Sequence, residues 1–395
     1  MWKTFGIGTT GTLHQQPTGQ AGSKTPLVAF YGSTSAFFFS FLLIAATVPV
    51  MADFASSLSH RRFGDVHAAL PIVGFPTVGI MRMTESDQPA ANAAVKRAIE
   101  LGMTYFDVAP EYGDGVAMAR LGPALEPYRS ECFLASKTMY RTAALAAIDF
   151  AKTLAALRTD YLDLYQFHSV ASLDEVTTIM AKGGAMEFFE KMKAEGKVKH
   201  IGFSAHSEPA AIALIETGRV ETCMFPINYG AYHIGAVGAG VLRAAKAHGV
   251  GVIALKSCAR GRLQSDGSDG SVACTPPAPG TANHIPDWKI AEMVKYPVRT
   301  SSVHPNCWYE PEDDLVAIRS LLLWTLHQDG VTAVLPPGDL DILFDLVIPT
   351  LLTEGGADVP RLTAEEEAAM ATRYASVRPI FHAHSEAGTK VSAEM

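Results

Sequence analysis

Short apolar runs alternate with amphipathic stretches along most of the chain, from about residue 70 to residue 337. Eight of these runs have the length and the β-branched or aromatic content of buried strands. They are ALPIVGF (69–75), MTYFDVA (103–109), CFLASK (132–137), YLDLYQFH (161–168), KVKHIGFSA (197–205), TCMFPIN (222–228), GVGVIALK (249–256) and VTAVLPP (331–337). Runs of this kind, separated by helical patterns, predict βα units that share one parallel sheet.

The stretches between the runs have the periodicity of amphipathic helices, and several end in Gly, which tolerates the left-handed helix C-cap. They cover residues 89–102, 115–125, 142–158, 184–196, 208–218, 239–249 and 313–330. Eight strands alternating with helices favour a closed (β/α)8 TIM barrel, an α/β fold, over an open doubly wound sheet. An open sheet that binds a dinucleotide would carry GxGxxG after its first strand, and the sequence has no such motif there.

We divide the chain into an N-terminal extension (1–58), a barrel (59–352) and a C-terminal tail (353–395). Residues 261–310 are rich in Gly, Ser, Asp and Pro and form a long connection after the seventh strand. Such a connection lies on the catalytic face of a barrel, so it is either a loop that covers the substrate or a surface insertion. The tail contains LTAEEEAAMATRYASV, which predicts an N-capped amphipathic helix on the barrel exterior.

The N-terminal extension has a composition of its own. Residues 25–52 carry no charge, and AFFFSFLLIAATVPV (36–50) is almost wholly apolar. Three interpretations stay open: a secretory or organellar signal, a single membrane anchor, or a mis-assigned start with translation beginning at Met51. The third implies a cytoplasmic protein, and the first two imply a secreted, organellar or membrane-anchored one. Membrane contact is expected only through residues 25–52.

Composition narrows the classes of partner. With 395 residues, 48% of them apolar and 18% charged, the chain is typical of a globular protein. A net charge of −8 argues against a nucleic acid partner, since phosphate-binding surfaces carry a basic excess. The five cysteines form no CxxC motif, so a disulfide scaffold or zinc site is not indicated. His200 and His206 lack a third ligand at a suitable spacing, so no metal site is predicted.

Four polar residues fall at or just beyond the ends of three successive predicted strands: Asp107, Tyr112, Lys137 and His168. Taken singly, each has an ordinary structural explanation, such as a helix cap, a packing residue, a surface charge or a core histidine. Together they suit carbonyl reduction. Tyr has an ordinary pKa near 10, about three units too high for easy proton exchange at neutral pH. We expect the lysine ammonium to lower that pKa, the Asp to hold the lysine, and a neutral imidazole to donate a hydrogen bond to the substrate oxygen.

The sequence resembles the aldo/keto reductase superfamily over roughly residues 60–350. The resemblance rests on six motifs in order: FDVAPEYG, LASK, YLDLYQFHS, GKVKHIGFSAH, GVGVIALKSCARG and GVTAVLPPG. It implies a (β/α)8 barrel that uses NADPH, sometimes NADH, to reduce aldehydes and ketones, and it assigns the catalytic tetrad to Asp107, Tyr112, Lys137 and His168. Within the superfamily, the chain resembles a branch of predicted microbial-type oxidoreductases. The resemblance rests on the spacing after the histidine, the lysine of IALK and the motif NCWYEPED.

The same resemblance assigns cofactor-binding roles to further residues, and some of these positions depart from the family's usual residue type. Ser204 matches the serine that contacts the nicotinamide carboxamide, and Asn228 substitutes for the glutamine that commonly contacts the same amide. Lys256 and Arg260 lie where the family wraps the pyrophosphate. Gly338 matches the glycine before the adenosine 2′-phosphate contacts, but Asp339, Asp341 and Asp345 follow it and would repel a phosphate.

Aromatic and histidine side chains are candidates for the substrate pocket. They are His206, Tyr232, His233, Trp308 and Tyr309. The implied partner is a small carbonyl compound. An alternative function is a nucleotide-binding regulatory barrel with little turnover, as in the potassium-channel β-subunits of the same superfamily. A non-redox barrel enzyme would leave the pairing of Tyr112 with Lys137 unexplained.

Overall fold

A computed structural model describes residues 58–263, 271–273, 275–295, 298–354 and 359–383. These residues belong to one compact unit, Asp53–Met395. The expectations about a signal, an anchor or a later start fall on residues 1–57, which lie outside the described residues. Within the described ranges, no helix is both long and apolar enough to cross a membrane.

Fourteen strands are described, and eight of them form the central sheet. In chain order they are β1 (His60–Phe63), β2 (Val66–Pro71), β3 (Phe75–Pro76), β4 (Tyr105–Asp107), β5 (Phe133–Thr138), β6 (Leu162–Val170), β7 (Val198–Ala205), β8 (Thr222–Phe225), β9 (Gly251–Leu255), β10 (Ala259–Gly261), β11 (Val272–Ala273), β12 (Arg299–Thr300), β13 (Glu310–Pro311) and β14 (Val331–Leu335). The central sheet has the order β14-β9-β8-β7-β6-β5-β4-β3, and its paired strands are parallel.

The first and last strands of this sheet meet. Val73 and Val334 form an isolated parallel bridge, the Gly74 N–H donates to the Val334 carbonyl at 3.0 Å, and the Val334 N–H donates to the Ile72 carbonyl at 2.9 Å. These bonds close the sheet, so the predicted (β/α)8 barrel is confirmed.

The first predicted strand, 69–75, is wrong in its position. Its N-terminal half belongs to β2, which pairs antiparallel with β1, and the barrel strand β3 begins only at Phe75. Pro71 has no N–H to donate and ends the hairpin. Gly74 then lets the chain approach Tyr105, because a Cβ at this position would lie 2.4 Å from the Tyr105 ring.

The hairpin β1–β2 closes the bottom of the barrel. Its buried side chains share one apolar cluster with inward-facing residues of the barrel strands. The members of this cluster are Phe63, Val66, Leu70, Tyr105, Ala135, Leu164, Met224, Ile253 and Leu335. Since the interior below the strand ends is packed, the opposite face, at the C-terminal strand ends, is where a ligand can enter.

Helices surround the barrel and bury their apolar stripes against it. Those described are α1 (Gln88–Glu100), α2 (Val116–Leu125), α3 (Ala143–Leu157), α4 (Leu173–Met180), α5 (Ala185–Ala194), α6 (Glu208–Glu216), α7 (Tyr229–His233), α8 (Ala239–Ala247), α9 (Asp287–Lys295), α10 (Leu315–Leu326), α11 (Ile348–Glu354) and α12 (Ala364–Tyr374). The predicted tail helix is α12, whose N-terminus is fixed by a capping box between Thr363 and Glu366.

The C-terminal segment is anchored so that it reaches the mouth of the barrel. Glu312, which is fully buried, accepts hydrogen bonds from Arg373 and from the Tyr374 hydroxyl, the latter at 2.8 Å. Beyond this anchor, the Ala383 N–H donates to the Gly235 carbonyl at 2.8 Å. The chain between the two contacts places the buried Phe381 ring over the strand ends.

Candidate active site

A cavity of about 580 Å³ lies at the C-terminal ends of the barrel strands. Its walls include residues at the ends of six strands: Asp107, Lys137, His168, Ser204, Lys256 and Leu335. The connection after β9 supplies further lining residues, among them Val272, Ile285, Lys289, Thr300 and Trp308. This volume is in the range of small-molecule sites, and the long connection therefore forms part of the cavity wall.

Lys137 is fully buried, and its three ammonium donors all have acceptors. It forms an ion pair with Asp107, and it donates to the Tyr112 hydroxyl oxygen at 3.0 Å and to the Val108 carbonyl at 3.4 Å. Asp107 is held in turn by Gln166, whose Nε2 lies 3.3 Å from the other carboxylate oxygen. The lysine is therefore fixed in one position beneath the phenol.

The direction of these bonds sets the role of Tyr112. An ammonium group has donors and no acceptor, so the Tyr112 oxygen must accept from Lys137. The phenolic O–H is then directed elsewhere, and Tyr112 lines the cavity. The arrangement leaves Tyr112 as a proton donor toward a ligand in the cavity.

The pKa of Tyr112 lies above its ordinary value, because burial raises it and Lys137 lowers it by less. The expected lowering by Lys137 is therefore present, and burial outweighs it. Burial also lowers the pKa of Lys137, but Asp107 and Tyr112 together outweigh burial and raise it. Both groups are therefore protonated at neutral pH, which suits proton donation rather than abstraction.

His168 has a partner that the sequence did not single out. Its Nδ1 lies 2.7 Å from Oε2 of Glu111, and both side chains are nearly buried. The other carboxylate oxygen of Glu111 is buried and has no partner among the described residues. Glu111 precedes Tyr112 directly, so its place in the PEYG motif could have identified it from the sequence as a site residue.

This contact changes the expected role of the imidazole. When Glu111 accepts from Nδ1–H, a neutral ring carries its lone pair on Nε2, the nitrogen that remains for the cavity. A neutral His168 in this arrangement accepts a hydrogen bond, and only the imidazolium form donates one. The pKa of His168 lies below its ordinary value because burial lowers it more than Glu111 raises it. A carbonyl oxygen therefore finds a donor at His168 at acidic pH, and an alcohol O–H finds an acceptor there at higher pH.

We expect Glu111→Gln to lower the pKa of His168 further, because the carboxylate that raises it is removed while an amide oxygen can keep the contact. Carbonyl reduction near neutral pH should fall about tenfold, the size of a shift of roughly one pKa unit. The titration of the His168 ring, followed by NMR and assigned with His168→Gln, measures the shift. Glu126→Gln, which removes an exposed partner of Arg158, is the control. An unchanged or raised His168 pKa in Glu111→Gln would contradict this prediction.

The segment after Tyr112 is tied to the long connection. The Asp114 carboxylate accepts the backbone N–H groups of Asn283 and His284 at 2.9 and 2.7 Å. Gly115, with φ of +91°, packs so closely on the His284 ring that a Cβ would lie 2.5 Å from it. Asp114 and Gly115 thus anchor this wall of the cavity to the segment after Tyr112.

Of the residues assigned to the nicotinamide, Ser204 lines the cavity and Asn228 is not among its lining residues. The Ser204 hydroxyl oxygen accepts the Ser169 N–H at 2.8 Å, so its own hydrogen remains available to a ligand. Asn228 follows Pro226, which ends β8, and its side-chain oxygen caps α7 through the Ala231 N–H at 2.9 Å. The cap accounts for the side-chain oxygen of Asn228, whereas its buried Nδ2 has no partner among the described residues.

The two cations assigned to the pyrophosphate differ in their surroundings. Lys256 is buried in the cavity wall, and its Nζ lies 3.2 Å from Nε2 of His206. Arg260 is not a lining residue, since it is paired with Glu310 where β10 meets β13. Arg260 could therefore reach a phosphate only by leaving this ion pair.

The glycine assigned to the adenosine end is closely packed. A Cβ at Gly338 would lie 2.6 Å from Val78 and 3.0 Å from the Asn306 carbonyl oxygen. The next residue, Asp339, contacts Nδ1 of His304 at 2.8 Å. Gly338 is thus packed against Val78 and Asn306, and the first acidic residue after it is held by His304.

Some of the predicted pocket residues line the cavity and others do not. His206 and Trp308 line the cavity, as does Tyr309. The Trp308 indole N–H is buried without a partner among the described residues, so it is available to donate a hydrogen bond to a ligand at this wall. Tyr232 and His233 are not lining residues. Their rings pack against Trp324 of α10, at 5.3 Å between ring centroids.

These residues fit the reactive end of a nicotinamide dinucleotide. The free Ser204 hydroxyl hydrogen suits a carboxamide oxygen, and Met224 and Leu255 give the cavity apolar walls that suit an uncharged ring. Of the two cations assigned to the pyrophosphate, Arg260 is already paired with Glu310. The described residues contain no cluster of His, Cys, Asp or Glu that could hold a metal ion.

A barrel with this tetrad at its C-terminal face defines the class of protein. The family model described as "Aldo/keto reductase family" matches residues 73–301. The chain belongs to the aldo/keto reductase family.

Several relatives support the assignment. Methylglyoxal reductase YeaE of Escherichia coli is 37% identical over 36% of this chain and 47% of its own length. L-galactose dehydrogenase of Arabidopsis thaliana is 27% identical over 52% of this chain and 67% of its own length. The first three curated relatives are matched over 47, 41 and 39% of their length, so this chain spans less than half of each.

Solved structures share the fold. The holo form of an aldo-keto reductase from Bacillus halodurans has a TM-score of 0.56 and 19% identity, and the match covers 83% of this chain and all of that chain. An aldo/keto reductase from Klebsiella pneumoniae, solved with NADP and acetate, has a TM-score of 0.53 and 22% identity over 80% of this chain and 95% of its own. At these identities the likeness concerns the fold alone.

Proposed function

We propose that the protein reduces an aldehyde or ketone to an alcohol with a reduced nicotinamide dinucleotide. The observation that carries this proposal is the Tyr112 hydroxyl, which accepts from a buried ammonium group while its own O–H is free at the cavity. Membership of the aldo/keto reductase family supports it. The cofactor supplies a hydride to the carbonyl carbon when it is bound.

In this mechanism, Tyr112 donates its proton to the carbonyl oxygen as negative charge develops there. Lys137 stabilises the resulting phenolate by a hydrogen bond and a full positive charge in a buried setting. Asp107 keeps Lys137 protonated and in place. The protonated His168 donates from Nε2 to the same oxygen, so acidic pH favours reduction and higher pH favours alcohol oxidation.

Turnover of a broad panel of aldehydes and ketones, followed as loss of reduced-cofactor absorbance, tests the proposal. We expect carbonyl-dependent oxidation of the cofactor. Tight cofactor binding without turnover across the panel would instead favour the regulatory barrel.

The adenosine end of the cofactor site bears on the choice between NADPH and NADH. NADPH is the cofactor that the family resemblance favours, whereas the carboxylate of Asp339 opposes a 2′-phosphate. We expect Asp339→Asn to strengthen NADPH binding several-fold relative to NADH binding, since it removes one negative charge. Calorimetric Kd values for both cofactors measure this ratio. Asp329→Asn, which alters an exposed partner of Lys246, is the control, and an equal effect of both variants would contradict the prediction.

A further inference from the structure

The cavity has a second side, which lies across the barrel from the wall that suits the nicotinamide. The eight strands of the closed sheet follow the order β14-β9-β8-β7-β6-β5-β4-β3, so β3, β4 and β5 lie opposite β7, β8 and β9, respectively. Ser204, Met224 and Lys256, at or next to the ends of β7, β8 and β9, therefore face the loops that follow β3, β4 and β5. Tyr112 lies in the middle one of these loops, so a substrate at the phenol has this second side for its remaining atoms.

Three apolar side chains line the second side of the cavity, and we call them the apolar side: Met81, Met139 and Ile285. Met81 comes after β3 and lies next to the turn that contains Tyr112, because a Cβ at Gly113 would lie 2.1 Å from the Met81 carbonyl oxygen. Met139 directly follows β5 and is 3% exposed. The apolar side therefore begins beside the proton donor.

Ile285 belongs to the long connection and is held in place by a carboxylate. Its N–H donates to Asp114 Oδ1 at 3.3 Å, and the N–H groups of Asn283 and His284 donate to the same carboxylate. Lys152 of α3 donates from Nζ to the Asn283 carbonyl at 3.1 Å. These contacts fix an apolar residue of the long connection beside the tetrad.

The charged groups near the apolar side are engaged or exposed. Glu111 contacts Nδ1 of His168 at 2.7 Å, and the Asp114 carboxylate accepts three backbone N–H groups. Arg82 is exposed to solvent. A hydroxyl group of a ligand placed against the three apolar side chains would lose its hydrogen bonds to water, which weakens binding.

We propose that the apolar side binds an alkyl or aromatic group of the substrate, so that the protein acts on medium-chain and aromatic aldehydes and ketones in preference to small hydroxylated ones. This inference rests on the proposed function. Each methylene that is buried there removes apolar surface from water and strengthens binding. Methionine side chains are flexible and adapt to ligands of different shape, so Met81 and Met139 favour a range of apolar groups over a single one.

Steady-state kcat/KM along the series propanal, butanal, pentanal and hexanal tests the inference, with glyceraldehyde as the hydroxylated counterpart of propanal. We expect kcat/KM to rise about threefold for each added methylene, as the transfer of a CH2 group out of water predicts. Glyceraldehyde should be a poorer substrate than propanal. Turnover of propanal without a rise along the series, or a preference for glyceraldehyde, would overturn this inference and leave the proposed function standing.

Met81→Gln and Met139→Gln replace a thioether by an amide of similar length. We expect each variant to lower the hexanal-to-propanal ratio of kcat/KM by about fivefold, because the amide has to give up water when an alkyl group covers it. Met180→Gln is the control and should keep the ratio, since Met180 ends α4 outside the cavity lining, where its sulfur accepts from Arg219 at 3.7 Å. The ratio compares two substrates in one preparation, so poor folding of a variant does not change it. An unchanged ratio in both cavity variants would overturn the inference.

A binding measurement separates this inference from the proposed function. Calorimetric titration with hexanol and with hexane-1,6-diol, in the presence of NADPH, needs no turnover, and the two ligands differ in one terminal hydroxyl. We expect hexanol to bind about tenfold more tightly, with a negative heat-capacity change, and Met81→Gln to reduce the difference. Equal affinities would overturn this inference. The expected difference without turnover of any aldehyde would support the apolar side and overturn the proposed function alone.

Discussion

Tyr112→Phe is expected to lose carbonyl reduction by about a thousandfold, within the range for removal of a positioned general acid. The phenol O–H is the group that the cavity presents to a ligand, since its oxygen is engaged by Lys137 at 3.0 Å. Phe keeps the ring that packs edge-on against His168, with centroids 5.8 Å apart. Steady-state kcat/KM with an aldehyde measures the loss, and calorimetry should show that cofactor affinity is retained.

Tyr161→Phe is the matched control for this variant. Tyr161 precedes β6, at the opposite end of the barrel from the cavity, and its ring lies under Arg129 at 3.9 Å from the centroid. The loss of its hydroxyl should leave turnover within a factor of about two. Undiminished turnover in Tyr112→Phe would remove Tyr112 from the mechanism.

Asp107→Asn is expected to destabilise the fold by about 3–5 kcal/mol, the usual cost of removing one partner of a buried ion pair. Lys137 is fully buried and Asp107 is 3% exposed, so water cannot replace the lost charge. Without Asp107, burial lowers the pKa of Lys137. The folded state then gains stability as pH rises, because Lys137 loses its proton below its unfolded pKa.

Urea denaturation at about pH 6 and about pH 9 measures both effects. The destabilisation should be larger at the lower pH. Asp329→Asn, which removes the exposed partner of Lys246, should change stability by less than roughly 0.5 kcal/mol. Equal destabilisation by the two variants would mean that the Asp107–Lys137 pair does not behave as a buried one.

The sequence predicted the barrel because each strand is a continuous apolar run of its own. It failed at the first strand, where ALPIVGF contains residues of both the hairpin β1–β2 and β3. Both segments are apolar because one closes the barrel bottom and the other lies in its wall. Periodicity does not distinguish these two kinds of burial.

The candidate site was predictable to the extent that its residues occupy strand ends. The last residues of β4, β5 and β6 include Asp107, Lys137 and His168, respectively. Because these strands are parallel, their C-terminal ends bring the three side chains together. Asn228 and Tyr232 lie further along the chain, where Pro226 ends β8 and a short helix turns them away from the cavity lining. The tetrad's catalytic role stays a prediction that the variants above test.

By itself, the sequence determined the barrel, the strand-end placement of the tetrad and the family. The tertiary structure decided which groups are paired and which are not: Glu111 with His168, Arg260 with Glu310, and Lys256 with no carboxylate in the described part of the chain. It also decided the net direction of the Tyr112 pKa, because burial raises this pKa by more than Lys137 lowers it. The physical reason is the same in each case. Pairing and desolvation depend on distances between residues remote in sequence, whereas strand and helix patterns depend on near neighbours.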